Sequence, residues 1–234
     1  MASVNKKLQT IVKRGIDIVG SGTGLILLSA LYLCIGVAIL TKMGFPIFFR
    51  HQRPGLKNKP FTMYKFRTMR HTRPGEDPYY TDLDRLTGLG KFLKKYSLDE
   101  LPEFFNVLKG DMSLVGPRPL LMEYLEKYTT DQLRRHNVKP GITGWAQVNG
   151  RTGITLSEKF EMDLWYVDNW TLELDSKILL MTISQVLRPS KSVVVQDHTV
   201  IDDLGFLEGS TRSNRNSGPR NVHQHDIKEK KWRI

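Results

Sequence analysis

The sequence predicts a mainly α-helical chain with a small β element, an α+β protein attached to a membrane through its N-terminal segment. Three observations lead there. An uncharged apolar run lies near the N-terminus, several later stretches carry apolar residues at helical spacing, and only one short stretch alternates apolar with basic residues. There is no series of alternating strands and helices, which argues against a Rossmann-type sheet. At 234 residues the chain has room for one globular domain and an appendage.

The apolar run spans Ile18–Thr41 without a charge, about 24 positions against the roughly 20 that cross a bilayer core. A cleaved signal peptide would carry a shorter apolar region and a small-residue cleavage site. Here the run leads straight into Phe45-Pro46-Ile47-Phe48-Phe49. Lys6, Lys7, Lys13 and Arg14 flank one end, and Lys42, Arg50 and Arg53 the other. Equal basic flanks place both ends on the cytoplasmic side, so a segment that dips in and returns explains them better than a bitopic anchor, the alternative. Gly20, Gly22, Gly24 and Ser29 offer weak points for the bend.

Pro54-Gly55 marks a turn before a short strand in Phe61–Met69, and His71–Tyr80 reads as loop. Helical spacing follows in Leu86–Tyr96 and Phe104–Leu108, the latter ended by Gly110. Leu120–Asn137 reads as one amphipathic helix, with Leu121, Tyr124, Leu125, Tyr128 and Leu133 opposite Glu123, Glu126, Lys127, Arg134 and Arg135. Ser157–Asn169 and Asp175–Leu187 are the last helices. Amphipathic helices beside a basic, membrane-inserted segment suggest a helical body lying on the bilayer surface; packing of a soluble core is the alternative. After Ser190 the chain turns polar, and Ser210–Gly218 has no periodicity and is expected to be disordered. The expected divisions are a membrane-inserted segment (1–45), a body (46–188) and a polar basic tail (189–234).

The formal charge is +11, which calls for an anionic partner: phosphate-rich substrates, acidic lipids or nucleic acid. No nucleic-acid module accompanies the charge, so nucleic acid is the poorest of the three. Ser210–Ile234 holds seven Lys/Arg against Asp226 and Glu229, a net +5. The single cysteine, Cys34, excludes an internal disulfide. The histidines show no zinc-enzyme spacing, and no phosphate-loop motif occurs.

Chemistry concentrates in KFLKKYSLDELPEFFNVLKGDMSLVGPRP, residues 91–119. Asp99 and Glu100 sit at a helix start, with Lys94 and Lys95 one turn earlier. Ser97 to Glu100 has the pattern of a capping box; starting the helix at Asp99 instead keeps Pro102 in the first turn, where proline is tolerated. Either start puts Asp99 at the positive end of a helix dipole, which favours its ionised form. Such a carboxylate can attack phosphorus, while Glu100 can hold a metal; two capping carboxylates are the bland alternative. Pro117-Arg118-Pro119 presents one guanidinium on a stiff backbone, suited to bidentate phosphate contact or to nothing more than a rigid turn. In PGITGWAQVNGR (140–151), Gly144 allows close backbone approach, Trp145 offers a stacking face, Gln147 and Asn149 offer hydrogen bonds, and Arg151 offers a charge for phosphate. The alternative is a glycine-rich connection with Trp145 in the core. Asp82-Leu83-Asp84 matches a metal–sugar-nucleotide pattern, though three-residue matches are frequent by chance and this one follows a loop.

In this order the motifs resemble those of the bacterial monotopic phosphoglycosyl transferases, the undecaprenyl-phosphate sugar-phosphotransferases. The resemblance runs from about Lys13 to Leu187. It rests on Lys13-Arg14 with Asp17, Arg53-Pro54-Gly55, Tyr64–Met69, Ser97–Pro102, Gly110–Pro119 and Pro140–Arg151. It implies transfer of a sugar phosphate from a UDP-sugar to undecaprenyl phosphate at the cytoplasmic face of the bacterial inner membrane, with release of UMP and a need for Mg²⁺. By the same resemblance Asp99 is the nucleophile, forming a covalent phosphosugar intermediate, and Glu100 binds magnesium. Lys94, Arg118 and Arg151 meet phosphate groups, and Gly144, Trp145, Gln147 and Asn149 form a nucleotide loop. The length is similar to that of minimal family members, which often use an N-acetylated sugar. Two departures stand out: Ser29-Ala30 where members carry Ser-Pro, and Lys94-Lys95 where they often carry arginine. Competing readings are a metal-dependent glycosyltransferase using Asp82 and Asp84, which would release UDP, and a basic membrane-surface scaffold. The sequence also admits a homodimer.

Overall fold

The protein is described here by a computed structural model covering residues 2–74, 85–150, 154–187, 203–204 and 206, the side chains of residues 2–5 excepted. Helix α1 (Ala2–Leu27) runs into α2 (Ser29–Met43) across Leu28, and the described pair bends there by 60°. No single helix among the described residues is long and apolar enough to cross a membrane. The bend needs no proline. Leu28 takes φ −94° and ψ 6°, while Leu28 N still donates to Gly24 O and Tyr32 N to Leu28 O. The glycines expected to weaken the helix have another use. A Cβ at Gly20 would meet Leu114 at 2.8 Å, and one at Gly24 would lie 3.5 Å from the Phe104 ring. They let α1 lie close against the body.

Polar contacts then fix α1 in place. Asp17, 3% exposed, accepts hydrogen bonds from Leu114 N (2.9 Å) and Ser113 Oγ (3.0 Å). Lys13 Nζ donates to Asp175 Oδ2 (2.5 Å) and Val115 O (3.0 Å). Arg14 donates to the carbonyls of Val107 and Leu108, in the last turn of α4 (Glu103–Lys109), where a cation also complements the helix dipole. The sequence motif Lys13-Arg14 with Asp17 is therefore a docking device.

Strands β1 (Phe48–Pro54) and β2 (Pro60–Phe66) form an antiparallel pair in register Phe48↔Phe66 through Pro54↔Pro60. Strand β2 stops three residues short of the alternation read in the sequence. Arg67 turns away to cap α2, donating to the carbonyls of Met43 (2.6 Å), Gly44 and Phe45 (3.1 Å). Helix α3 (Gly88–Lys95) starts at Thr87, whose hydroxyl accepts from Gly90 N at 2.9 Å. Helix α4 ends at Gly110 with φ 99°, a conformation glycine adopts without penalty.

The second sheet is a parallel pair, β3 (Ser113–Val115) with β4 (Gly141–Thr143), in register Ser113↔Gly141 and Val115↔Thr143. It sets the Pro117–Pro119 segment beside the Pro140–Gly150 segment. Helices α6 (Trp145–Asn149), α7 (Leu156–Asn169) and α8 (Leu172–Leu187) close the main core, where Val115, Trp145, Tyr166 and Ile178 are buried. Capping-box hydrogen bonds between Thr155 and Glu158 begin α7.

The single helix expected over Leu120–Asn137 is not found. A 3₁₀ stretch (Met122–Lys127), a short α5 (Thr130–Leu133) and a second 3₁₀ stretch (Arg134–Asn137) replace it. Thr129 and Gln132 form a capping box that starts a new helix there, and the break turns Tyr124 and Tyr128 into one aromatic cluster with Phe160. Arg135, assigned to the polar face, is 1% exposed and pairs with Asp163 at 2.6 Å. Most of 189–234, including Ser210–Gly218, lies outside the described residues.

Candidate active site

Asp99 and Glu100 lie in a 3₁₀ turn, Leu98–Glu100, just before Pro102 and α4. Ser97 enters it in a left-handed conformation, φ 54°, and its side chain makes no cap. The capping box does not form because the Glu100 carboxylate is engaged elsewhere. Lys65 Nζ donates to Glu100 Oε1 at 2.9 Å, and Arg118 grips both oxygens, Nη1 to Oε2 at 3.2 Å and Nη2 to Oε1. The turn is also held from α2, since the Tyr32 hydroxyl donates to Leu101 O.

Glu103, one turn on, completes an acidic trio. It is 1% exposed and lies 3.5 Å from Lys65 Nζ, while neither of its oxygens makes a hydrogen bond. Lys65 reaches both glutamates because Asn106 of α4 grips the edge of β2. Tyr64 N donates to Asn106 Oδ1 (3.0 Å), and Asn106 Nδ2 donates to Thr62 O (2.7 Å). Lys65 and Glu103 were absent from the sequence-derived site. Lys65 stood inside the Tyr64–Met69 motif, which was the available signal; Glu103 had none beyond its distance of four residues from Asp99.

Burial sets the electrostatics. Asp99, 6% exposed, has its pKa pushed up to about 6 by desolvation and by Glu100, against the pull of Lys65, Lys94 and Arg118. The dipole expectation for Asp99 is thus overridden, because loss of water outweighs a weak helix end. Glu100 pays the same desolvation, but Arg118 and Lys65 overcome it and hold its pKa well below the usual range. Glu103 is pushed up to about 7 by burial and by Glu100. At pH 7 the site therefore holds an ionised Asp99, with no hydrogen bond from the described residues, beside an ionised Glu100 whose charge is offset by Arg118 and Lys65.

All the expected site residues except Arg151 fall among the described residues. Asp99, Glu100 and Arg118 come together, and Lys94 acts on Asp99 through its charge. Gly144 lies against Gly116, where a Cβ would fall 2.2 Å from Gly116 O. The Gln147 amide is buried and, among the described residues, makes no hydrogen bond; its Oε1 would be 2.7 Å from a Gly144 Cβ, so it lies over this crossing. Trp145 stacks on Trp165 at 4.8 Å inside the core, and Asn149 Nδ2 donates to Trp145 O. As placed, Trp145 packs the loop from beneath. Arg151, Asp82 and Asp84 lie outside the described residues. A cavity of about 30 Å³ near Lys13, Asp17 and Asp175 is away from the carboxylates and has room for water alone.

No group of three metal-ligating side chains converges among the described residues. Magnesium does not require one, since it keeps waters and takes one or two carboxylates plus substrate phosphates. Asp99 accepts no hydrogen bond from the described residues, Glu100 Oε2 carries only the Arg118 bond, and three buried carboxylates face two paired cations. The donor set fits a hard divalent cation.

A family profile described as bacterial sugar transferase matches residues 8–189. The chain belongs to that family. It is 53% identical over 177 residues to the uncharacterized sugar transferase EpsL of Bacillus subtilis (strain 168), covering 76% of this chain and 88% of that protein. It is 40% identical over 195 residues to the UDP-glucose:undecaprenyl-phosphate glucose-1-phosphate transferase of Escherichia coli (strain K12), covering 78% and 41%. A UDP-N-acetylgalactosamine-undecaprenyl-phosphate N-acetylgalactosaminephosphotransferase of Aeromonas hydrophila is 39% identical over 184 residues, covering 75% and 44%. The chain thus spans less than half the length of these two larger transferases. As a bacterial sugar transferase it is an enzyme, and the Asp99 cluster is the candidate place for its chemistry.

Proposed function

We propose that this bacterial sugar transferase moves a sugar 1-phosphate from a UDP-sugar to undecaprenyl phosphate, by way of a covalent intermediate on Asp99. The observation that carries the reading is the Asp99 carboxylate, buried, free of hydrogen bonds from the described residues, and ionised above about pH 6. A desolvated carboxylate without donors to quench it is a competent nucleophile. Its oxygen attacks the phosphorus that bears the sugar. The bond from that phosphorus to the bridging oxygen breaks, and UMP leaves with the electron pair. An oxygen of undecaprenyl phosphate then attacks the same phosphorus, and the Asp99–phosphorus bond breaks to restore the carboxylate. Two displacements at one centre give ping-pong kinetics.

Arg118 and Lys65 supply positive charge where the phosphoryl oxygens gain negative charge, in a site that excludes water. Glu100, with Asp99 beside it, would hold Mg²⁺, which when bound neutralises diphosphate charge. Lys94 would help draw the donor, and Gln147, Gly144 and the outlying Arg151 and Asn149 would meet the nucleotide. The α1–α2 pair, with Ile26, Leu27, Leu33 and Val37 exposed, would enter the bilayer and return, placing the site at the cytoplasmic face of the inner membrane.

The reading is tested by product identity. Wild-type enzyme with undecaprenyl phosphate and Mg²⁺ is expected to release UMP from one of a panel including UDP-glucose, UDP-galactose and their N-acetylated counterparts. UDP as the product would overturn the proposal in favour of a glycosyltransferase. The pH profile gives a second expectation. Donor cleavage should fall about tenfold per unit below about pH 6, as Asp99 takes up its proton. Initial rates between pH 4.5 and 8 check this; a flat profile through pH 5 would remove Asp99 as the titrating group.

A further inference from the structure

Phe206 lies beyond the region matched by the family, yet it is 8% exposed. Its ring packs against Tyr124 (centroids 5.3 Å apart), Tyr128 (5.8 Å) and Phe160 (6.1 Å). Two polar contacts hold the segment down. Lys127 Nζ donates to Phe206 O at 2.7 Å, and Ser157 N, in the first turn of α7, donates to Asp203 Oδ1 at 3.1 Å. The ring joins Leu156 and the three aromatics in one buried cluster, and so fills space that close packing would otherwise leave empty.

The other side of that pocket wall leads to the catalytic arginine. The Arg135 guanidinium lies 5.5 Å from the Phe160 ring, donates to Asp163 Oδ2 at 2.6 Å, and donates to Arg118 O at 2.7 Å. Tyr128 meets Phe160 edge-on at 5.2 Å and His136 at 5.6 Å, so two of the three rings that touch Phe206 also border the Arg135 turn. We propose that Phe206 is a positioning residue: its ring braces Tyr128 and Phe160, these hold Arg135, and Arg135 fixes the backbone of Arg118. A segment outside the catalytic unit thereby sets the geometry of the guanidinium on Glu100. The functional consequence rests on the proposed phosphate role of Arg118; the mechanical link does not.

Hydrogen exchange read by mass spectrometry on the full-length protein tests the link without any substrate. Phe206→Ala is expected to speed exchange about tenfold in the peptide spanning residues 116–121, as well as in 122–128. Phe206→Tyr, which keeps the ring, should restore the wild-type rate at 116–121. Faster exchange confined to 122–128 and 156–162 would overturn the inference, since filling a local pocket predicts only that. Should Phe206→Ala unfold the chain, Lys127→Met and Asp203→Ala remove one tether each; loosening at 116–121 in both supports the link, and no change there refutes it. UMP release by the wild type is scored separately, so failure of the phosphotransfer reading leaves the exchange result standing.

Discussion

Asp99→Asn is expected to abolish UMP release, lowering turnover by roughly 10⁴-fold or more, as loss of a covalent nucleophile does. The substitution keeps the shape of the side chain and removes the charge and the attacking oxygen. Incubation of the wild type with donor alone should add the mass of a sugar phosphate to the intact protein, and the variant should add nothing. Near-normal turnover by the variant would remove Asp99 as the nucleophile. The same change should stabilise the fold. Burial lifts the Asp99 pKa to about 6, so the folded chain binds this proton more tightly than the unfolded chain. Ionising it costs stability, and the cost accumulates as pH rises from about 4 to about 6. The variant escapes it. At pH 8 it should be more stable by roughly 1–3 kcal/mol, with the difference vanishing near pH 4, where both states of the wild type are protonated. A lower melting temperature for the variant at pH 8 would show instead that the charge is net stabilising in place.

Part of the candidate site was legible where one short motif carried each residue. Asp99, Glu100 and Arg118 meet as expected, because a short turn and a proline-flanked arginine are local features. The partners that tune them were hidden. Lys65 comes from a strand 35 residues upstream and arrives only because Asn106 pairs with the edge of β2. That pairing has no local signature. The parallel β3–β4 pair, which brings the arginine segment against Gly144 and Gln147, is likewise invisible to periodicity, since each strand has three residues. Helices with caps were legible to within a few residues, as α7 was. The stretch from Leu120 to Asn137 was not, because its helical pattern also satisfies a chain that breaks at Thr129 to wrap an aromatic cluster. The uncharged run Ile18–Thr41 marks the N-terminal segment in the sequence, yet the interactions that decide where α1 sits are those of Asp17 and Lys13, whose partners lie 97 and 162 residues away.

Lys65→Met should separate the two tasks of that lysine. Its ammonium lies 3.5 Å from Glu103 and 2.9 Å from Glu100, which Arg118 also pairs. Loss of one well-aimed charge from a buried site lowers turnover by about 10²–10³-fold, so UMP release should fall by that factor with Mg²⁺ still required. Stability responds differently. Breaking a buried pair costs about 3–5 kcal/mol when the remaining charge has no escape, but Glu103 has one, since its pKa is already pushed up to about 7 and Lys65 is the largest influence holding it down. Without Lys65 it takes up a proton and stays neutral to higher pH. The variant should therefore lose some stability at every pH above about 5 through the weakened Glu100 pair, and lose more above pH 7, where Glu103 must ionise without its partner. Glu100 keeps Arg118 throughout, so the remaining turnover should still depend on Asp99. Thermal melts of both proteins at pH 5 and 8 decide the matter. An equal loss of stability at the two values would mean that Lys65 acts through Glu100 alone and has no hold on the titration of Glu103.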